Sequence, residues 1–161
     1  MHPRASELIR TLELEPHAEG GFFRQSFRSP RHVTPDDTRP ARSALTVIHF
    51  LLAAGQHSRW HVVRSDELWV FEEGEPLELL VVSPDTGSLD TARLGASGSD
   101  GESARVVPAG HWQASRPIGA FALALCAVAP GFDYADFRFV ADDPADKQRL
   151  ERLHPQLAVL L

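Results

Sequence analysis

Cysteine is scarce: the 161 residues hold one, Cys126, so no internal disulfide can form, which suits a reducing compartment. An apolar run of about eighteen residues is missing, which predicts no transmembrane helix and no membrane partner. The N-terminal stretch MHPRASELIRTLELE carries charges among its apolar positions and lacks a signal-peptide core, so a cytoplasmic protein is expected. Positive charge is also short. Sixteen Lys and Arg against 22 Asp and Glu leave a net charge of −6, which argues against nucleic acid as a partner. What remains, 43% hydrophobic and 24% charged, is an ordinary globular composition, long enough for one buried core and read as a single domain over 1–161.

Punctuation along the chain predicts an all-β protein. SELIRTLELE has apolar positions at 8, 9 and 12 behind Ser6, which predicts a short amphipathic helix over 6–14 with Ser6 as its cap. A glycine pair and alternating Phe23, Gln25 and Phe27 predict a strand arm within 17–29, and the proline-rich stretch 30–42 an exposed loop. From Ser43 to residue 140, short strands follow one another, each ended by Gly or Pro, as in a sandwich or barrel. SALTVIHFLLAAG is apolar on both faces, the mark of a strand between two layers. The Gly/Ser/Asp-rich hairpin region is expected to be mobile over 95–101. Asp143 and Pro144 predict a capped helix over 143–154.

The stretch GQHSRWHVVRSDELWVFEEG, residues 55–74, has a countable order: Gly55, five residues, His61, one residue, Val63, three residues, Glu67, six residues, Gly74. That is the spacing of the first cupin motif, with Val63 where the second histidine would stand. PAGHWQ repeats the end of the second motif, with Gln113 in place of its histidine. The pieces LEPHAEGGFFRQSFRS, LTVIHFLL, SRWHVVRSDELWVF, VVPAGHWQAS and VAPGFDYADF occur in the order found in one cupin branch, a domain of unknown function. The chain therefore resembles that branch over roughly residues 8–139. The resemblance implies a double-stranded β-helix, or jelly roll, enclosing a ligand-sized cavity. It also implies likeness to epimerases such as dTDP-4-dehydrorhamnose 3,5-epimerase, and a homodimer paired through an N-terminal strand.

The motif positions put His61, Glu67 and Gln113 where a metal would be held, but Val63 donates nothing and a neutral amide is a poor ligand beside imidazole. A divalent transition metal is thus expected to be weakly bound or absent. Without an ion, a His61–Glu67 pair can still act as acid and base near neutral pH, a carboxyl walled by Trp69 having its pKa raised. Around this pair, Arg24 is expected to clamp an anion, Gln113 to offer its amide, Trp69 to stack, and His49, Ser58 and Tyr134 to line the pocket. Arg28 and Glu19 read as surface or turn residues, His57 and His111 as exposed beside turns, and Cys126 as an apolar filler.

Three functions follow. The first is an enzyme moving protons on a small polar metabolite (a sugar, nucleotide-sugar or small acid) by epimerisation, isomerisation or dehydration. The second is a metal-dependent dioxygenase, which needs the missing ligand. The third is a binding protein that has kept the cavity and lost the chemistry.

Overall fold

In a computed structural model covering the chain, residues 1–98 and 101–161 are described, so the segment 95–101 falls partly outside them. Helix α1 (Pro3–Thr11) comes first. Strands β1 (Glu15–Pro16), β2 (Phe22–Arg28), β3 (His32–Val33), β4 (Arg42–Ser43) and β5 (Thr46–Ala53) follow it. Next come β6 (Ser58–Val63), β7 (Asp66–Gly74), β8 (Leu77–Val82) and β9 (Leu89–Leu94). The last strands are β10 (Ala104–Val107), β11 (Trp112–Pro117), β12 (Phe121–Ala129) and β13 (Phe137–Phe139). Helix α2 (Pro144–Leu153) and a 3₁₀ turn (Pro155–Leu160) close the chain.

The strands form two antiparallel sheets facing each other as a jelly roll. The larger runs β1-β2-β5-β12-β7-β10 and the smaller β13-β6-β11-β8-β9, with β3 and β4 pairing separately. Side-chain alternation sorts each strand between two cores. Phe50, Leu52, Trp69, Leu79, Ala124 and Cys126 pack between the sheets. On the outer side of the smaller sheet, Trp60, Leu80 and Trp112 meet Leu150 and Leu157 of the C-terminal segment, and the Trp60 indole N–H bonds the Leu157 carbonyl at 3.0 Å. Ala5 and Leu8 of α1 cover Leu51, Phe121 and Leu123 on the outer side of the larger sheet. Among the described residues no helix is long and apolar enough to cross a membrane.

Helix α1 starts earlier than its pattern predicts and ends earlier too. Pro3 takes the first position, where a missing N–H costs nothing, and the His2 side chain accepts from the Arg4 N–H, so Ser6 lies inside the helix rather than capping it. The arm over 17–29 is a full member of the larger sheet: β2 pairs with β5 from Phe22↔Leu51 to Arg28↔Thr46. At the other end, the Asp143 carboxylate accepts the Ala145 and Asp146 N–H groups, capping α2.

Candidate functional site

Between the sheets lies a cavity of about 320 Å³, open at one end. Strand alternation builds its wall. Glu67 and Trp69 point inward from β7 while Leu68 points out, and Ile48 and Phe50 point inward from β5. On β11 the same alternation turns Gln113 toward Glu67 and Trp112 into the outer core.

Glu67 is the centre of this arrangement. Its side chain is 6% exposed, and its Oε2 accepts a 2.6 Å hydrogen bond from the Gln113 amide N–H. The Gln113 amide oxygen in turn accepts the Trp69 indole N–H at 3.0 Å, so both ends of the amide are committed. The Cys126 thiol also bonds Glu67. Burial in this apolar wall pushes the Glu67 carboxyl up to about 7, against the opposing pull of the Gln113 and Cys126 hydrogen bonds. Burial likewise pushes the Cys126 thiol up, reinforced by the charge of Glu67, so the thiol stays protonated.

A second buried carboxyl, Glu19, joins Glu67 at the cavity wall. It sits in the turn between β1 and β2, where Gly20 has φ 120° and a Cβ would lie 2.2 Å from the His57 carbonyl oxygen. Only glycine permits so close an approach. Arg59 holds the turn against β6, its backbone N–H bonding the Glu19 carbonyl at 2.9 Å and its guanidinium the Ala18 carbonyl at 2.9 Å. Burial drives the Glu19 carboxyl well above the usual carboxylate range, and the charge of Glu67 adds to this while Arg59 opposes it.

Two histidines face Glu19. His61 Nδ1 lies 2.7 Å from the Arg59 carbonyl, a contact only an N–H can make, so Nε2 carries the lone pair and faces Glu19 Oε1 at 3.4 Å. His17 Nδ1 accepts the Glu19 backbone N–H at 3.3 Å and lies 3.8 Å from Oε2. Burial lowers both rings to about 4, so they are neutral near pH 7. The His17 lone pair is taken by the Glu19 backbone N–H, whereas the His61 Nε2 lone pair faces the carboxyl and favours a proton on it. His61, stacked on Phe137 at 5.5 Å, does not line the cavity and reaches it through Glu19.

Three expected pocket residues lie elsewhere. His49 and Arg24 are register partners on the outward face of the larger sheet, where His49 pairs with Glu72 at 2.7 Å and Arg24 with Glu13 at 2.6 Å. Ser58 is buried, but its hydroxyl is spent on Ser115, 3.0 Å to the Oγ and 2.9 Å from the backbone N–H. Arg28 takes the position expected of Arg24. A register shift between Gln25 and Phe27 inserts one residue into β2, so Phe27 turns out to solvent and Arg28 turns in. Tyr134 stands at the open end, 63% exposed and edge-on to Phe132 at 5.1 Å. His111 is half-buried, and His57 lies on a separate shallow groove behind the Glu19 turn.

The donor set does not fit a resident metal. Among the described residues no group of three or more His, Cys, Asp or Glu side chains is placed to hold an ion. Val63 lines the cavity where a ligand would stand, the Gln113 oxygen is taken by the Trp69 indole, and His61 Nε2 is directed at Glu19.

Comparison with known proteins agrees with this architecture. No curated protein matches the chain in sequence. A hypothetical protein from Leishmania major is 30% identical with a TM-score of 0.81, over 97% of this chain and 95% of its own. A protein from Shewanella oneidensis is 35% identical with a TM-score of 0.80, over 97% and 93%. The fold alone is shared with the capsular polysaccharide assembling protein CapF of Staphylococcus aureus, 13% identical with a TM-score of 0.58 over 78% of this chain and 33% of that one. The same holds for an oxalate decarboxylase of B. subtilis, 14% identical with a TM-score of 0.56 over 85% and 33%. The sequence profile described as Cupin superfamily (DUF985) matches residues 6–140, and the chain belongs to that family.

Proposed function

We propose that the barrel binds a small polar metabolite and moves a proton on it, in an epimerisation, isomerisation or dehydration. The observation that carries this reading is Glu67, a carboxyl buried at the cavity wall against Trp69 and Gln113, where burial pushes it up to about 7. A group with a pKa near the working pH is populated in both its acid and base forms, which is what proton transfer to and from carbon requires. Glu19 supplies a second carboxyl at the same wall, raised in the same direction by burial. Gln113 acts as a positioning residue for Glu67, and His61 does the same for Glu19.

The experiment is to incubate the protein in D₂O with a panel of small sugars and acids bearing a hydrogen next to a carbonyl, and to follow loss of that signal by NMR. Catalysed exchange that disappears in Glu67→Gln supports the reading. No exchange on any member, with ligands bound and recovered unchanged, supports instead a binding protein, the reading that Val63 at the cavity wall favours.

The same proposal extends to assembly as a homodimer. Strand β1 covers only Phe22 and Phe23 of the β2 edge, which leaves the rest of that edge open to a further strand. On the outward face of the same sheet, Leu68 and Val106 are register partners, 37% and 51% exposed. Light scattering at micromolar concentration should give twice the chain mass of 17.7 kDa; the single-chain mass would contradict pairing.

A further inference from the structure

We infer that the cavity takes a small ring acid: one carboxylate held by Arg28 at the mouth, a flat unsaturated body among the aromatic side chains, and a neutral oxygen against the carboxyls of Glu67 and Glu19. This rests on the reading of the barrel as a metabolite site and narrows it to one ligand class.

Charge carries the first step. Among the described residues, Arg28 is the one Lys or Arg side chain lining the cavity. Its guanidinium bonds two neutral groups, the Gln25 side-chain oxygen at 3.2 Å and the Phe132 carbonyl at 3.3 Å. Other arginines are paired: Arg24 with Glu13, Arg42 with Asp136, Arg116 with Glu78 and Arg138 with Asp146. Among the described residues no carboxylate pairs Arg28. Asp133 also lines the mouth, but its Oδ1 accepts the Ala135 N–H and caps the turn. A guanidinium standing at a cavity mouth without an acid partner is complementary to a two-oxygen anion. A phosphate ester, with its second charge, would call for a second cation there.

Shape carries the second step. A volume of about 320 Å³ lies at the small end of ligand pockets, which run from about 300 to 1,000 Å³. It holds one ring with its substituents, whereas a nucleotide-sugar has a base, two phosphates and two sugars to place. Phe23, Phe50, Trp69 and Phe132 line it together with Ile48 and Val128. Such a wall suits an unsaturated body better than a hydroxyl-rich one. The floor is polar: Glu67 and Glu19 are 6% and 7% exposed, and in their protonated forms they donate to a carbonyl or hydroxyl oxygen without adding charge.

Isothermal titration with 4-hydroxybenzoate as the probe tests this, with 4-hydroxybenzamide and 4-hydroxyphenyl phosphate as comparators. The wild type is expected to bind the benzoate, and the amide and the phosphate at least about tenfold more weakly, the scale of a lost charge-assisted hydrogen bond. Arg28→Gln should weaken benzoate binding by at least about tenfold, whereas Arg24→Gln on the outward face should leave it unchanged. No binding of the benzoate overturns the inference, as does equal binding of the amide or phosphate or an unchanged affinity in Arg28→Gln. Benzoate binding through Arg28 with no proton exchange on any substrate would leave the ligand class standing and remove the acid–base reading. Exchange on neutral sugars with no benzoate binding would do the reverse.

Discussion

Glu67→Gln is expected to reduce catalysed proton exchange by at least about a hundredfold and, at the same time, to make the protein more heat-stable above neutral pH. Glutamine keeps the size and a hydrogen-bonding end but cannot ionise. The stability effect follows from linkage. The wild-type carboxyl is shifted from 4.5 to about 7 by burial, so between those pH values the folded chain holds a proton that the unfolded chain has released. Stability drawn from this group is full below pH 4.5 and is lost as pH rises through 7. The loss is on the order of 3 kcal/mol, or roughly 6–12 °C in a chain of this size. Glu19, shifted in the same direction, adds to it. His17 and His61, lowered to about 4, act oppositely: their contribution is full above pH 6.5 and is lost as pH falls toward 4. The wild type is therefore squeezed from both sides. The difference in Tm between Glu67→Gln and wild type isolates Glu67; it should be small at pH 5 and large and positive at pH 8. Parallel melting curves across that range would contradict the assignment.

Asp136→Ala should produce the largest loss of stability. Asp136 is 4% exposed and accepts from two arginines: Arg42 in two-point fashion at 2.8 and 3.0 Å, and Arg39 at 3.2 Å. Both guanidiniums are buried, and the Arg42 hydrogen bonds hold the Asp136 carboxyl below its usual range. Alanine would leave Arg42 without a carboxylate while Arg39 keeps Asp37 at 2.9 Å, and breaking such a buried pair costs about 3–5 kcal/mol and about 6–20 °C. The consequence extends to the site. Asp136 closes the turn that carries Phe132, Asp133 and Tyr134 to the cavity mouth, and its backbone carbonyl accepts the Arg64 N–H at 3.1 Å. Ligand affinity should fall along with Tm. A Tm within about 2 °C of wild type, equivalent to less than about 1 kcal/mol, would show that the network does not anchor this turn.

How far the site was legible depended on where strand phase could be counted. Glu67, Trp69 and Gln113 sit on strands whose alternation could be followed, and the structure brings Glu67 and Trp69 each within hydrogen-bonding distance of Gln113. The phase of β5 was hidden because both of its faces are apolar: Leu51 lies under α1 while Phe50 faces the cavity, so nothing in TVIHFLL marks His49 as outward. On β2 the alternation itself misleads, since the inserted residue after Gln25 exchanges the facing of Phe27 and Arg28. Glu19, like Arg28, lines the cavity although the sequence reads it as a turn residue. It lies on an irregular turn with no period to follow, and its one local signal is the adjacent Gly20-Gly21, needed where the backbone runs against His57 and Leu51. The partnership of His61 with Glu19 joins residues 42 positions apart, and strand spacing alone cannot reveal it.

The most direct test is an NMR titration of the glutamate side-chain carboxyl carbons in ¹³C-labelled protein, with Glu67→Gln used to assign the Glu67 resonance. The account predicts a protonation midpoint at about 7 for Glu67, far from that of exposed glutamates. A midpoint in the ordinary range of about 4–5 would contradict it, because a carboxyl fully ionised at neutral pH is not poised to pass a proton in both directions.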